Sequence, residues 1–216
     1  RNEGNFVFTR VLTTDVSKVN AKSFSSAWAD IDNDGDLDLF VTNAFQNGQR
    51  LKNNLYLNDG TGHLTEVTNE VVVMDEGWSY GCAFGDYDND GFQDLAVATT
   101  RFGNVDEADY LDHNNGNSNH WLMVTLEGNV SNKSDKKKKI RVKAIVNGTA
   151  VWQMREISAQ SAYCSQNDMR AHFGLADATL VDSMVIEWPS GIRQYRTGVL
   201  PNQILDIEED LVNAVR

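Results

Sequence analysis

Cysteine is scarce in this 216-residue chain, with Cys82 and Cys164 alone, too few for a disulfide framework. Cys82 sits in an apolar strand pattern and is expected as a buried free thiol. A Cys82–Cys164 bridge is the less favoured alternative, since nothing in the sequence brings the two together. No apolar run approaches the roughly 20 residues of a spanning helix, so no membrane span is expected. Basic residues are outnumbered, 19 Lys and Arg against 31 Asp and Glu, for a formal charge of −12. Without a basic stripe to offset that balance, nucleic acid is excluded as a partner. Helical periodicity is not evident. No His-x-x-x-His, Cys-x-x-Cys or Gly-x-Ser-x-Gly arrangement occurs around His63, His113, His120, His172 or elsewhere. No signal peptide opens the chain and residue 1 is Arg, which predicts a chain that has been processed, trimmed or only partly observed.

What is present is a folded-protein composition, 41% hydrophobic and 23% charged, in a length that suits one large or two small domains. The acidity is concentrated. Asp30-Ile31-Asp32-Asn33-Asp34-Gly35-Asp36-Leu37-Asp38 and Asp86-Tyr87-Asp88-Asn89-Asp90-Gly91-Phe92-Gln93-Asp94 both read D-x-D-x-D-G-x-x-D. Each follows an aromatic-containing apolar stretch (Ala27-Trp28-Ala29, Ala83-Phe84-Gly85) and leads into an apolar run (Leu39-Phe40-Val41, Leu95-Ala96-Val97). The carboxylates of Asp30, Asp32, Asp34 and Asp38, and of Asp86, Asp88, Asp90 and Asp94, can converge on one hard cation per loop. The carbonyl of Asp36 or Phe92 is a further ligand. Gly35 and Gly91 permit the sharp turn that folds the oxygens inward. Carboxylates packed this closely repel one another without a cation, and two calcium ions are expected; they would bring the formal charge from −12 to −8. Plain polar turns are the bland alternative, weakened by two copies in the same context. An EF-hand needs a bidentate Glu at position 12 and flanking helices, where this chain has Val41 or Val97 and strand-like flanks.

The loops lie 56 positions apart, and the register extends beyond them. Asn2-Glu3-Gly4-Asn5 aligns with Asn58-Asp59-Gly60-Thr61, Phe8-Thr9-Arg10-Val11 with Leu64-Thr65-Glu66-Val67, and residues 53–60 with 109–116. Such a period with short strands and Gly-rich turns signals a propeller or solenoid. Each unit reads as a hairpin around Asn-Asp-Gly, a connecting loop, and a hairpin around the acidic loop. Residue 1 falls inside a repeat and the third unit stops after its first strand. With fewer than the roughly 4–8 blades of a closed propeller, the expectation is an incomplete propeller, a fragment of a longer chain or one whose remaining blades another chain supplies.

These loops and flanks resemble FG-GAP/VCBS repeats, the calcium-binding blades of integrin-α-like propellers, over roughly residues 2–118. The resemblance implies calcium ligation by the Asp side chains of both loops. From Asn119 the composition changes. Strands are predicted at 120–127, 140–146, 150–157, 183–188, 194–197 and 203–207, with turn signals at Asn147-Gly148 and Pro189-Ser190-Gly191. This is a small β-sandwich pattern. Asn119-His120-Trp121-Leu122, Arg155-Glu156-Ile157-Ser158, Ser165-Gln166-Asn167-Asp168, His172-Phe173-Gly174-Leu175 and Val185 to Gly191 resemble, in order, the ASPIC/UnbV domain that commonly follows VCBS repeats. Where that family has a Gly-containing turn, this chain has Lys136-Lys137-Lys138-Lys139, expected as a solvated loop and alternatively as a contact for an acidic partner. The predicted organisation is all-β: blades over 1–118, a sandwich over 119–210 and a tail over 211–216.

Catalytic chemistry is thin. His172 lies near Glu156, Ser158 and Asp168 in the most motif-like stretch, where a structural hydrogen-bond network is favoured over a ligand pocket or catalytic site. Trp152, Tyr163 and Trp188 could stack on a sugar, though aromatics alternating in β domains usually belong to the core. Sequons at Asn129, Asn132 and Asn147 are expected in exposed turns. Three functions fit these residues. The favoured one is an extracellular or cell-surface, secreted calcium-binding module for protein or glycan recognition and cell adhesion. A structural subunit of a larger surface complex comes next, and an enzyme with structural calcium last, so the chain is read as not an enzyme. Weak calcium sites suit the extracellular range of roughly 10⁻⁴–10⁻³ M.

Overall fold

The computed structural model describes residues 1–100, 106–131 and 137–210. The tail 211–216, the sequon at Asn132 and Lys136 of the basic run lie outside the described residues. Among those residues the only helical elements are 3-10 turns at Asp15–Ser17 and Val71–Val73. The strands of the first half are β1 (Ser23–Ala29), β2 (Asp38–Asn43), β3 (Phe45–Gln46), β4 (Gln49–Lys52), β5 (Asn54–Asn58), β6 (Leu64–Val67), β7 (Glu76–Gly77), β8 (Ser79–Gly85), β9 (Asp94–Thr99) and β10 (Tyr110–Asp112). Those of the second half are β11 (His120–Glu127), β12 (Lys139–Val146), β13 (Thr149–Glu156), β14 (Ala171–Ala176), β15 (Val181–Glu187), β16 (Arg193–Val199) and β17 (Gln203–Glu208). The six strands expected from sequence in this half are present to within two residues at each end. β14 was not expected as a strand, because six consecutive buried residues carry no alternation to mark a pleat.

In the first half, β1–β2–β5–β6 form one antiparallel sheet and β8–β9–β10 its three-stranded counterpart, with β3–β4–β7 as a small third sheet. The 56-residue period is structural. Ala29↔Asp38 closes the first acidic loop and Gly85↔Asp94 closes the second. Ala27 and Ala29 on β1 are small enough to let the two sheets approach. They pack with Phe40 and Leu55 against Cys82, Phe84, Leu95 and Val97, and Phe40 meets Phe84 edge-on at 6.3 Å. Burying such apolar area is the main stabilising contribution here, roughly 2 kcal/mol for each large side chain. Cys82 is a buried free thiol, pushed up to about 11 by burial, and Cys164 is free and exposed.

In the second half, β14–β11–β17 and β13–β12–β15–β16 share one core around Leu122, Val142, Phe173, Leu175, Met184 and Ile186. β11 runs antiparallel to β14 and parallel to β17. It is buried on both faces, since Trp121 and Met123 are covered outside that core. In the basic run Lys137 is exposed as expected of a solvated loop, and Lys138 departs from that expectation. Lys138 is fully buried, its Nζ donating to the Leu126 carbonyl at 2.8 Å and lying 4.6 Å from the Trp188 ring centroid. Burial brings its pKa down to about 8. Trp188 is in the core, whereas Trp152 and Tyr163 stand more than half exposed.

Candidate metal centre

Three hydrogen bonds recur in both acidic loops, while Asp86 Oδ1 alone also accepts from the Asn89 and Asp90 amides, at 2.7 and 3.2 Å. In the first, Asp30 Oδ2 accepts from the Gly35 amide at 3.0 Å, Asp32 Oδ1 from Asp34 at 3.1 Å and Asp34 Oδ1 from Asp36 at 2.8 Å. In the second, Asp86 Oδ2 accepts from Gly91 at 2.9 Å, Asp88 Oδ1 from Asp90 at 3.3 Å and Asp90 Oδ1 from Phe92 at 2.9 Å. The last carboxylate ties the start of its loop to the chain about 20 residues further on. Asp38 accepts from the Ile31 and Asn58 amides, and Asp94 from those of Tyr87 and Asn114. Gly35 and Gly91 sit at φ of 104° and 94°, which a side chain would strain. Asn33 and Asn89 take φ of 58° and 65°, tolerable because Asn visits the left-handed region more readily than most residues.

This turn brings three carboxylates of each loop together. One oxygen each from Asp30, Asp32 and Asp38 lie within 4.8 Å of one another, as do those from Asp86, Asp88 and Asp94. Asp34 and Asp36 stand outside the first trio. Asp36 lies against the Gly60 backbone, where an added Cβ would come within 2.5 Å of its Oδ2. The repeat places Phe92 over Gly116 in the same way, so at this position the side chain of each loop packs against a glycine of the following turn. Asp90 joins a third group with Asp88 and His113. His113 was not anticipated; the signal available was a histidine where the repeat register has Leu57. Its Nε2 lies 2.9 Å from Asp88 Oδ2, and that bond raises the His113 pKa.

The loops differ in their surroundings. Positions 30–38 are buried or half-buried, while residues 87–90 are exposed. Burial raises the Asp30 carboxyl well above its usual range against the pull of Arg155, and carries Asp38 up to about 7. Asp34, Asp36 and Asp86 are raised too, again chiefly by burial. Asp30 Oδ1 is buried with no hydrogen-bond partner among the described residues. A buried acceptor without a donor is costly, and carboxylates held up by burial and mutual repulsion are what a cation relieves. The donor set, oxygen only, fits a hard divalent ion.

The second half docks directly on these loops. The Gly174 amide donates to Asp30 Oδ2 at 3.0 Å and the Ala176 amide to the Asn33 carbonyl at 2.8 Å. Asn117 and Asn119 reach the Asp32 carbonyl at 2.6 and 2.9 Å. Trp121 covers Gly91 so closely that an added Cβ would fall 1.8 Å from its ring. His172 Nε2 lies 3.1 Å from the Gly91 carbonyl; a carbonyl can only accept, so Nε2 carries the proton. Burial first, and Arg155 beside it, bring the His172 pKa down to about 3, leaving the ring neutral. Arg170 donates to the Asp86 carbonyl and to Asn89 Oδ1. Asn167 and Asp168 continue the contact along β8, where the Phe84 amide donates to Asn167 Oδ1 at 3.0 Å and the Asp168 amide to the Phe84 carbonyl at 2.8 Å. The polar cluster around His172 is therefore a docking network. Glu156 and Ser158 line the same cleft without bonding to His172.

Residues 42–97 match the FG-GAP-like repeat family and residues 138–214 match the ASPIC and UnbV family. The second acidic loop falls inside the matched repeat. The first lies before it and shares its recurring hydrogen bonds. No curated protein matches the chain.

Proposed function

We propose, from the premise that the chain carries an FG-GAP-like repeat followed by an ASPIC/UnbV domain, that it is a calcium-stabilised recognition module of the extracellular space or cell surface, binding a protein or a glycan. The observation carrying the calcium reading is Asp30 Oδ1, a buried carboxylate oxygen without a donor, in a loop whose hydrogen bonds recur 56 residues later. Asp30, Asp32, Asp34 and Asp38 with the Asp36 carbonyl would hold one ion. Asp86, Asp88, Asp90 and Asp94 with the Phe92 carbonyl would hold a second. Bound calcium supplies the positive charge that these oxygens otherwise lack. The chain's own part is to keep both loops folded beneath β14 and β11, fixing the two halves on each other.

The two larger sheets of the first half are read as blades of an incomplete propeller, and the two of the second as a sandwich. Recognition is supported by Trp28, Trp152 and Tyr163, residues that are 45%, 53% and 55% exposed, the amphipathic surface that proteins and sugars stack on. A binding role is preferred to an enzymatic one because His172, Arg155 and Arg170 are committed to holding the loops. A second reading, a structural subunit whose partner chain completes the propeller, is favoured because, among the described residues, the second blade has three strands against four in the first. A thermal melt in calcium and in chelator tests the calcium reading. Two sites held a hundredfold above their Kd add roughly 5 kcal/mol, so the melting temperature is expected to fall in chelator. An unchanged melt removes calcium from the account.

A further inference from the structure

The four-stranded sheet of the second half turns one face to the core and the other outward. On β12, Ile140, Val142 and Ala144 are buried in that core, so Lys139, Arg141, Lys143 and Ile145 alternate onto the outer face. The strand register sets two rows across it, Met154–Arg141–Val185–Tyr195 and Trp152–Lys143–Ser183–Thr197. Trp152 is 53% and Tyr195 51% exposed, and Met154 and Ile145 are exposed beside them. Single exposed apolar side chains are ordinary, but a cluster of them on one face marks a contact surface.

Charge sets this face apart. The chain as a whole carries −12, yet the two rows hold Arg141 and Lys143 and no acid. At one end Lys139, the last of the basic run, lies 3.5 Å from Glu156, while Arg141 and Arg193 reach Glu187 at 2.6 and 3.4 Å. Four cations against two anions leave the face net positive. Asp182, in the bulge of β15, stands outside both rows. The core of a protein–protein patch is depleted in charge, whereas here the two middle strands put cations between the aromatics. Trp152 on β13 and Tyr195 on β16 are three strand spacings apart, roughly 14 Å. A ligand that touches both is extended and lies across Arg141 and Lys143.

We infer that the outer face of the β13–β12–β15–β16 sheet binds an acidic polysaccharide. Sugar rings stack on Trp152 and Tyr195, and carboxylate or sulfate groups meet Arg141 and Lys143. Arg141 donates Nη1 to Glu187, and a guanidinium has five N–H donors, so the pair does not exhaust it. Lys143 adds a point charge on a flexible stem. The inference rests on the recognition reading and gives it a ligand class; it does not involve the acidic loops. A chain that captures a protein partner but ignores polyanions would keep the recognition reading and overturn this one.

Microscale thermophoresis at fixed calcium tests it, with heparin as a sulfated chain, hyaluronan as a carboxylate-only one and dextran as the neutral control. The expected result is binding to at least one polyanion that weakens as salt rises, and none to dextran. Lys143→Glu and Trp152→Ala are each expected to weaken it about tenfold or more. Lys52→Glu makes the same charge change on exposed β4 and is expected to leave binding unchanged. The melting temperature of each variant reads folding separately, and the salt dependence of the wild-type chain needs no variant. Absence of binding to both polyanions by the wild-type chain overturns the inference. So does equal binding to dextran, or a loss in Lys143→Glu no larger than in Lys52→Glu.

Discussion

The backbone amide of Gly174 donates to Oδ2 of Asp30 at 3.0 Å, so a core strand of the second half is bonded to the first ligand position of the first acidic loop. Gln153 Nε2 holds the Gly174 carbonyl at 2.6 Å from the other side, and Arg155 Nη2 stands 3.9 Å from the same Asp30 oxygen. Asp30 is thus fixed through one oxygen by both halves while its other oxygen has no hydrogen-bond partner among the described residues. Loop geometry and the docking of the halves are one structural fact.

Gly174→Ala tests that docking. An ideal Cβ at this position would lie 2.2 Å from Asp30 Oδ2 and 2.5 Å from Asn33 Cα, and neither atom can retreat without moving the loop. A loss of about 3 kcal/mol or more in urea denaturation is expected. Wild-type stability in this variant would mean that β14 does not rest on the loop.

His172→Gln separates the neutral donor from its titration. An unfolded histidine titrates near 6.5 and the folded ring near 3. Between these values the unfolded chain binds a proton that the native chain does not, so the stabilisation is complete above about 6.5 and is lost as pH falls toward 3. Gln keeps an N–H donor for the Gly91 carbonyl and does not titrate. Between pH 7 and 4.5 at fixed calcium, the wild type is expected to lose on the order of 2–3 kcal/mol more than the variant. Parallel losses would mean that the ring is not held neutral.

Glu209 is the corresponding anion of the second half. Its carboxylate accepts from the amides of Asn129, Val130 and Ser131 at 3.0, 2.9 and 2.7 Å, and from the hydroxyls of Ser131 and Ser190. Burial opposes ionisation, but the bonds from Ser190 and residues 130–131 outweigh it and bring the pKa down to about 2. The carboxylate therefore stabilises the fold fully above the ordinary Glu range, and this is lost as pH falls through about 2. Glu209→Gln is expected to cost roughly 2–3 kcal/mol at pH 7, in a gap that narrows as the pH drops toward 2. A gap independent of pH would contradict the assignment.

The acidic loops, the repeat and six of the seven strands of the second half were legible because their signals are local. Asp and Gly at fixed spacing dictate a turn, and alternating burial dictates a pleat. What the sequence hid is long-range. Asn119, Trp121, Arg155, His172 and Gly174 read as motif residues of one half and proved to be contacts to the other, which no spacing along the chain can reveal. Lys138 looked solvated because a four-lysine run averages its members, while its position just ahead of β12 turns one of them onto Trp188.

The most direct measurement is calorimetric calcium titration of the wild-type chain beside Asp34→Ala and Asp90→Ala. Two sites are expected in the wild type, with affinity at one site weakened about tenfold or more in each variant, because a ligand and a charge are removed together. Absence of calcium heat in the wild type, or affinities unchanged in both variants, would contradict the account and reduce both loops to polar turns.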